Sequence, residues 1–169
     1  MKKLIILRGY PGSGKTTIGK ALEAYGAGTF IDHNALLTYI AGIVGDDNGI
    51  YDAIYTLECQ LAKKLLSDGA VAIVARGFSR VSRMQPLLDI AETCGASHYV
   101  ITLDADMTLL EKRILAPERQ HDFNPTTTVQ SLHDWIAHNQ LEPYDGGITI
   151  DASRSIKEIC TTILEHTAA

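Results

Sequence analysis

The stretch Gly9-Tyr10-Pro11-Gly12-Ser13-Gly14-Lys15-Thr16 decides the fold of this chain. It has the spacing Gly-x-x-x-x-Gly-Lys-Thr, whose glycines let the backbone curl so that successive N–H groups point inward. A short apolar run at residues 3–7 precedes it, and Ile18 and Leu22 follow it at helical spacing. The sequence therefore predicts a strand, this loop and a helix in that order, which is the context that the motif requires.

This loop predicts a site for the phosphates of a nucleoside triphosphate. The Lys15 ammonium is expected at the β- and γ-phosphates, where it would also act in catalysis, and the helix that follows adds its positive N-terminus. The Thr16 hydroxyl is placed for Mg²⁺ and that of Thr17 for a phosphate oxygen. The predicted nucleotide-binding residues of the loop are Gly12, Ser13, Gly14, Lys15, Thr16 and Thr17.

Four further apolar runs predict the rest of a sheet. They cover residues 29–31, 70–75, 98–103 and 147–150, and helical patterns lie between them. Strands that alternate with helices form a parallel sheet with helices on both faces, so the fold class is a three-layer αβα sandwich. Ligands of such sheets bind beyond the carboxyl ends of the strands, where the loop, Asp32 and the residues after position 75 should meet.

Two segments carry more specific expectations. Ile50, Ile54, Leu57, Leu61 and Leu65 predict the buried face of one long helix, which follows a turn at residues 45–49. Residues 116–125 are polar, contain two prolines and show no periodicity, so they predict a mobile loop or lid.

Length and composition exclude several classes of protein. A chain of 169 residues fits one domain, 1–169, and no apolar run approaches the roughly 20 residues that a membrane span needs. The net charge of −5 argues against a broad grip on duplex nucleic acid, although five of the seven arginines lie between positions 76 and 119 and predict a local anion site. Three widely separated cysteines favour neither disulfides nor zinc and fit a reducing cytoplasm.

The loop alone does not separate kinases from GTPases and motors. No Asn-Lys-x-Asp guanine signature is present, and the run 70–75 ends in Arg76 where a motor would need an acidic residue. Both classes are therefore disfavoured.

At this point the sequence resembles the small P-loop kinases, a group that includes polynucleotide 5′-hydroxyl kinases, chloramphenicol phosphotransferase, zeta-type toxin kinases and the shikimate and gluconate kinases. The resemblance rests on residues 8–17, Asp32, residues 110–113 and an arginine in the lid. It implies a five-stranded sheet of order 2-3-1-4-5, ATP with Mg²⁺, and an acidic residue after the second strand that receives the acceptor hydroxyl.

Asp32 matches that acidic position. A carboxyl of ordinary pKa near 3.9 cannot remove an alcohol proton beforehand, so it would orient the hydroxyl and accept the proton as the bond to phosphorus forms. The alternative is an Asp that caps the helix starting near Ala35.

The remaining predicted site residues are polar side chains near the strand ends and the lid. The resemblance implies that Arg113 and Arg119 close over the triphosphate, with a solvated helix end and a mobile surface side chain as their alternatives. Arg154 follows the last strand, where the resemblance implies the adenine, or it belongs to a helix cap. The predicted acceptor-binding residues are Asp32, Asn34, Arg76 and Arg80.

The leading hypothesis is an ATP- and Mg²⁺-dependent kinase that acts on a hydroxyl of a small molecule or nucleotide. A 5′-hydroxyl polynucleotide kinase, for which an oligonucleotide end would be the partner, is one alternative. A nucleotide-binding switch or ATPase without an acceptor is the other.

Overall fold

Five parallel strands form one sheet in the order β2-β3-β1-β4-β5, as the sequence predicts. The computed structural model describes residues 1–44, 49–119 and 126–168. Residues 45–48 of the predicted turn at 45–49, and residues 120–125 of the predicted lid at 116–125, lie outside the described residues. The strands are β1 (Lys3–Arg8), β2 (Thr29–Ile31), β3 (Val71–Ala75), β4 (Ser97–Asp104) and β5 (Gly147–Asp151).

Seven helices occupy the described connections between and after these strands. They are α1 (Lys15–Ala24), α2 (His33–Val44), α3 (Ile50–Ser67), α4 (Gln85–Thr93), α5 (Met107–Ile114), α6 (Val129–His138) and α7 (Ile156–Thr167). Short 3-10 helices lie at Val81–Arg83 and Pro117–Arg119, the latter within the predicted lid. None of the described helices combines the length and the apolar character that crossing a membrane requires.

The alternation of side chains along β1 shows why the sheet has two covered faces. Leu4 and Ile6 are buried against α3 and α4, whereas Ile5 and Leu7 are buried against α1 and α7. Since successive side chains of a strand point to opposite faces, an unbroken apolar run is what a sheet between two helical layers requires. The result is the three-layer sandwich expected from the sequence.

The buried face of α3 differs from the sequence-based prediction. Ile50 and Ile54 are buried as expected, but Leu57 and Leu65 are only partly buried and Leu61 is exposed. The buried stripe continues instead through Glu58, Cys59, Ala62 and Leu66. The prediction failed because apolar side chains flank the true stripe, while the stripe itself contains a carboxylate.

Two smaller apolar clusters fix helices that border the carboxyl edge of the sheet. Leu37 and Ala41 of α2 pack on Ile50 and Ile54, so α2 is fixed to the start of α3. Leu110 and Ile114 of α5 pack with Leu132 of α6, with partly buried Tyr10 against them. The second cluster thereby holds α5 and α6 beside the loop that follows β1.

Candidate active site

The loop between β1 and α1 has a backbone shaped to surround an anion. Gly12 and Gly14 have φ angles of 87° and 95°, in the left-handed region that side chains rarely adopt. Gly14 is the N-cap of α1 and no side chain caps that helix end. The first N–H groups of α1 therefore keep their capacity to bind phosphate oxygens, assisted by the helix dipole.

Lys15 folds back over this loop. Its Nζ donates to the carbonyl oxygens of Gly9 and Tyr10 at 2.9 and 2.8 Å and lies 3.3 Å from Ser13 Oγ. Burial, and to a smaller extent the charge of Arg119, lower the pKa of Lys15 to about 7. The ammonium is thus held close to where the phosphates would lie, at a cost in desolvation that an incoming anion would relieve.

The segment after α6 is hydrogen-bonded to the last residue of β1 and to a side chain of the loop that follows it. The buried guanidinium of Arg8 donates from Nη2 to the carbonyl oxygen of Glu142 at 2.6 Å, and Leu141 N donates to Tyr10 Oη at 3.3 Å. Burial lowers the pKa of Arg8, and Glu142 opposes that shift. These contacts place the end of α6, with Trp135 against Tyr10, at the rim of the loop.

A cleft of about 810 Å³ begins at this loop and runs along the carboxyl edge of the sheet toward α2 and α3. The end of the cleft at the loop is formed by Pro11, Gly12, Gly14, Lys15, Thr16, Thr17 and Arg119. Its other end is formed by His33, Asn34, Tyr51, Asp52, Tyr55, Arg76, Phe78 and Arg83. A volume of this size is in the range of small-molecule sites.

Arg113 lies beside the loop but is not one of the residues lining the cleft. Its Nη2 donates to the carbonyl oxygen of Ala152 at 2.8 Å, and its Nη1 is 3.5 and 3.4 Å from those of Gly12 and Ser13. It joins the end of α5 to the loop and to the turn after β5. Arg119 does line the cleft.

Arg154 is exposed in the turn between β5 and α7 and is absent from the cleft lining. The local hydrogen bonds of that turn are those of a helix cap, since Ser155 and Glu158 form a capping box. Hydrogen bonds from Ser153 lower the pKa of Asp151.

Asp32 follows β2, as predicted, and both oxygens of its carboxylate have partners. Oδ1 accepts from the backbone N–H groups of Asn34 and Ala35 at 3.0 and 3.3 Å, which caps α2. Oδ2 lies 3.0 Å from Nζ of Lys20. The capping role weighed in the sequence analysis is therefore present, and Asp32 borders the cleft lining without being part of it.

The arginines after β3 divide between the cleft and the surface. Arg76 lines the cleft, and its guanidinium lies 4.8 Å from the ring centre of Tyr55. Arg80 is exposed and is not among the lining residues, whereas Arg83 is. Of the predicted acceptor-binding residues, the structure thus brings Asn34 and Arg76 to the cleft wall.

Behind the part of the cleft wall formed by His33 and Arg76 lies a buried carboxylate, Glu58, that the sequence did not indicate as a site residue. Glu58 on α3 is fully buried, with Oε1 2.9 Å from His33 Nδ1 and Oε2 2.8 Å from Arg76 Nη1. The sequence did contain a signal for this residue: Glu58 is four residues from both Ile54 and Ala62, so it interrupts the apolar stripe of α3 with a carboxylate. A buried carboxylate needs such partners, because leaving one unpaired is costly.

The donor set suits a magnesium ion that is held chiefly by phosphates. No group of three or more His, Cys, Asp or Glu side chains in the described part of the chain could hold a metal ion. Mg²⁺ usually keeps several waters and takes only one or two protein oxygens beside the phosphates of a nucleotide. The Thr16 hydroxyl, in the first turn of α1 and on the cleft wall, is an oxygen of the kind that such a site would use.

Residues 4–139 match the sequence model of a family described as an AAA domain, AAA_33. No curated protein sequence matches the chain at a significant level.

Solved structures of low sequence identity share the fold over almost the whole chain. A putative kinase from Chloroflexus aurantiacus is 19% identical, with a TM-score of 0.79 and 98% of each chain covered. A gluconokinase from Sinorhizobium meliloti is 16% identical, with a TM-score of 0.65 and coverage of 96% of this chain and 90% of that one. The APS kinase of Mycobacterium tuberculosis, in complex with AMPPNP and APS, is 15% identical, with a TM-score of 0.66 and coverage of 99% and 98%.

Proposed function

Because the chain belongs to the AAA_33 family of P-loop domains, we propose that it is a kinase that transfers the γ-phosphoryl group of ATP to a hydroxyl of a small molecule or nucleotide. One observation carries the proposal. The phosphate loop opens into a single cleft, and the far end of that cleft is lined by polar and aromatic side chains that no nucleotide phosphate needs. A nucleotide and a second, smaller molecule would fit end to end in such a cleft.

The nucleotide end is proposed to hold ATP by its phosphates. The backbone N–H groups from Gly12 to Thr17 would receive the β-phosphate, and Lys15 would swing from the loop carbonyls to the β- and γ-phosphates. At 3 Å and an effective dielectric near 20 this attraction is about 5 kcal/mol per unit charge before desolvation is subtracted. This attraction would offset the loss of the three hydrogen bonds that Lys15 Nζ makes within the loop.

Mg²⁺ would be bound by the Thr16 hydroxyl together with phosphate oxygens and water. When bound, it neutralises part of the charge that develops during phosphoryl transfer. The chain's own contribution is to fix the position of one ligand oxygen on the first turn of α1.

Arg113 and Arg119 are proposed to act on the nucleotide in different ways. Arg113 already bonds the carbonyl oxygens of the loop and of Ala152, so it is placed to fix the loop against the turn where the adenine is predicted, near Arg154. Arg119 lies on the cleft wall and lowers the pKa of Lys15 by its charge, so it is close enough to add positive charge at the γ-phosphate. A cation at that point stabilises the transferred group.

The acceptor is proposed to bind among the side chains of α2, α3 and the loop after β3. Asp32 is expected to orient the acceptor hydroxyl, and Asn34 and Arg76 to bind other polar groups of the acceptor. Arg80 would contact only an acceptor that extends out of the cleft, since it is exposed. The relatives described as gluconokinase and APS kinase support a small acceptor, by the molecules in their names.

The test is transfer of labelled phosphate. Purified protein with Mg²⁺ and γ-labelled ATP is incubated with sugars and sugar acids, nucleosides, antibiotics and 5′-hydroxyl oligonucleotides, with Lys15→Met as the inactive control. Label on one of the small acceptors supports the proposal. Label on oligonucleotides alone would favour a polynucleotide kinase, and release to water alone would favour a switch or ATPase.

A further inference from the structure

The buried carboxylate of Glu58 fixes the imidazole of His33 in one orientation. Glu58 has no exposed surface, and its Oε1 lies 2.9 Å from His33 Nδ1 while its Oε2 is occupied by Arg76. A carboxylate oxygen can only accept a hydrogen bond, so Nδ1 of His33 carries the proton. In the neutral ring, the lone pair is then on Nε2.

His33 lines the end of the cleft that is proposed to bind the acceptor. It is the first residue of α2, it follows Asp32 directly, and it lines the cleft that begins at the phosphate loop. Its side chain is 17% exposed, so the ring is largely enclosed but reachable from the cleft. With Nδ1 engaged by Glu58, Nε2 is the ring nitrogen available to a bound molecule.

Both carboxylate oxygens of the neighbouring Asp32 already have partners within the protein. Its Oδ1 accepts two backbone N–H groups, and its Oδ2 is paired with Lys20. These bonds hold the start of α2 and therefore the position of His33. They also leave Asp32 with less capacity to receive a proton than Nε2 of His33, which has no hydrogen-bond partner among the described residues.

We propose that His33 receives the proton of the acceptor hydroxyl and that Glu58 is the residue that positions it. This inference rests on the proposed kinase function. As the acceptor oxygen forms its bond to the γ-phosphorus, the bond from that phosphorus to the β,γ-bridging oxygen breaks and ADP leaves. The hydroxyl proton passes to Nε2 of His33, and the resulting imidazolium is stabilised by Glu58 until the proton is released to solvent.

Arg76 has a supporting part in this arrangement. It occupies the second oxygen of Glu58 at 2.8 Å and stacks on Tyr55, so the carboxylate cannot rotate away from His33. Tyr51 lies on the other side, with its ring centre 6.4 Å from that of His33. The imidazole is thus held by neighbours on α3 and at the end of β3.

The kinetic test compares His33→Gln with His133→Gln, an identical change on the exposed face of α6, where His133 pairs with Glu111. The acceptor is the one that the wild-type protein phosphorylates in the labelled-phosphate panel. His33→Gln is expected to lower kcat by about 100-fold or more, the usual contribution of a general base, with no change in KM for ATP. His133→Gln should behave as wild type, and added imidazole should restore part of the activity of His33→Ala.

The positioning role of Glu58 has a readout that does not depend on turnover. Two-bond ¹⁵N–¹H correlation spectra of histidine-labelled protein should show His33 with its proton on Nδ1, and Glu58→Gln should remove that preference. If Glu58→Gln does not fold, the wild-type spectrum and the His33 variants decide. A wild-type ring with the proton on Nε2 alone would overturn the positioning role.

The two proposals can fail separately. Full kcat in His33→Gln, in a protein whose wild type phosphorylates an acceptor, would overturn the proton transfer to His33 and leave the kinase function standing. If wild type phosphorylates no acceptor, the kinase function and the proton step both fail. The spectra then report on the Glu58–His33 pairing alone.

Discussion

ATP binding should become weaker as the pH rises above 7, because of Lys15. Where Lys15 lies against the loop carbonyls, its pKa is lowered to about 7 by burial and by Arg119. In the complex its ammonium would face the β- and γ-phosphates, whose charge favours the protonated form by several pKa units. Below pH 7 Lys15 is already protonated, whereas above pH 7 ATP binding must take up a proton from solvent.

The size of the effect follows from that pKa. Between pH 6 and pH 8 the protonated fraction of free Lys15 falls from about 0.9 to about 0.1, so the Kd for ATP should rise about tenfold, or about 1.4 kcal/mol. Proton uptake on binding should rise from about 0.1 to about 0.9 per nucleotide over the same range.

Isothermal titration calorimetry measures both quantities when it is repeated in buffers of different ionisation enthalpy. ATP and Mg²⁺ have protonation equilibria of their own, so Lys15→Met, titrated in the same buffers, is the matched control. Equal proton uptake by the two proteins at pH 8, or a Kd that does not rise with pH, would refute the reasoning. Arg119→Gln provides a second check, since it should raise the pKa of Lys15 and reduce the uptake at pH 8.

Two further substitutions test other parts of the account. Asp32→Asn keeps a good capping side chain for α2 but removes its charge, so the unfolding temperature and the Kd for ATP should stay unchanged, while transfer activity falls by about 100-fold because an amide orients the acceptor hydroxyl less well than a carboxylate; retained activity would contradict the role of this carboxylate. Gly19→Ala places a Cβ 2.4 Å from Phe30 in the buried contact between α1 and β2, so it should cost about 1–3 kcal/mol of stability in denaturant unfolding. The matched change Gly42→Ala, on the exposed side of α2, has open space around it and should stabilise the protein by up to about 1 kcal/mol; equal effects of the two glycine changes would contradict the packing argument.

The sheet and the phosphate loop could be predicted from the sequence because their signals are local. The apolar run that became Val71–Ala75 indicates a strand buried on both faces by its composition alone. The loop needs its glycines at fixed spacings, and the structure confirms left-handed backbone at Gly12 and Gly14. The strand order came from resemblance to a family, and the pairing of β3 with both β1 and β2 confirms it.

The acceptor end could not be derived in the same way, because its side chains come from separate helices and loops. Contact among His33, Glu58 and Arg76 requires that α2, α3 and β3 have packed together. The spacing of these residues along the chain does not predict that contact. The nearby arginines could not be separated from the sequence either: Arg80 and Arg83 are three residues apart and both exposed, yet only Arg83 lines the cleft. Their roles, like that of Asp32, stay predictions until acceptor binding is measured.

The central claim is that the phosphoryl group bound at Lys15 moves to an acceptor in the same cleft. Phosphorus-31 NMR of one reaction, containing wild-type protein, ATP, Mg²⁺ and a mixture of hydroxylated acceptors, tests it most directly. The account predicts a new phosphomonoester resonance that grows in step with ADP and is absent with Lys15→Met. Growth of inorganic phosphate alone, at the rate of ADP formation, would contradict it.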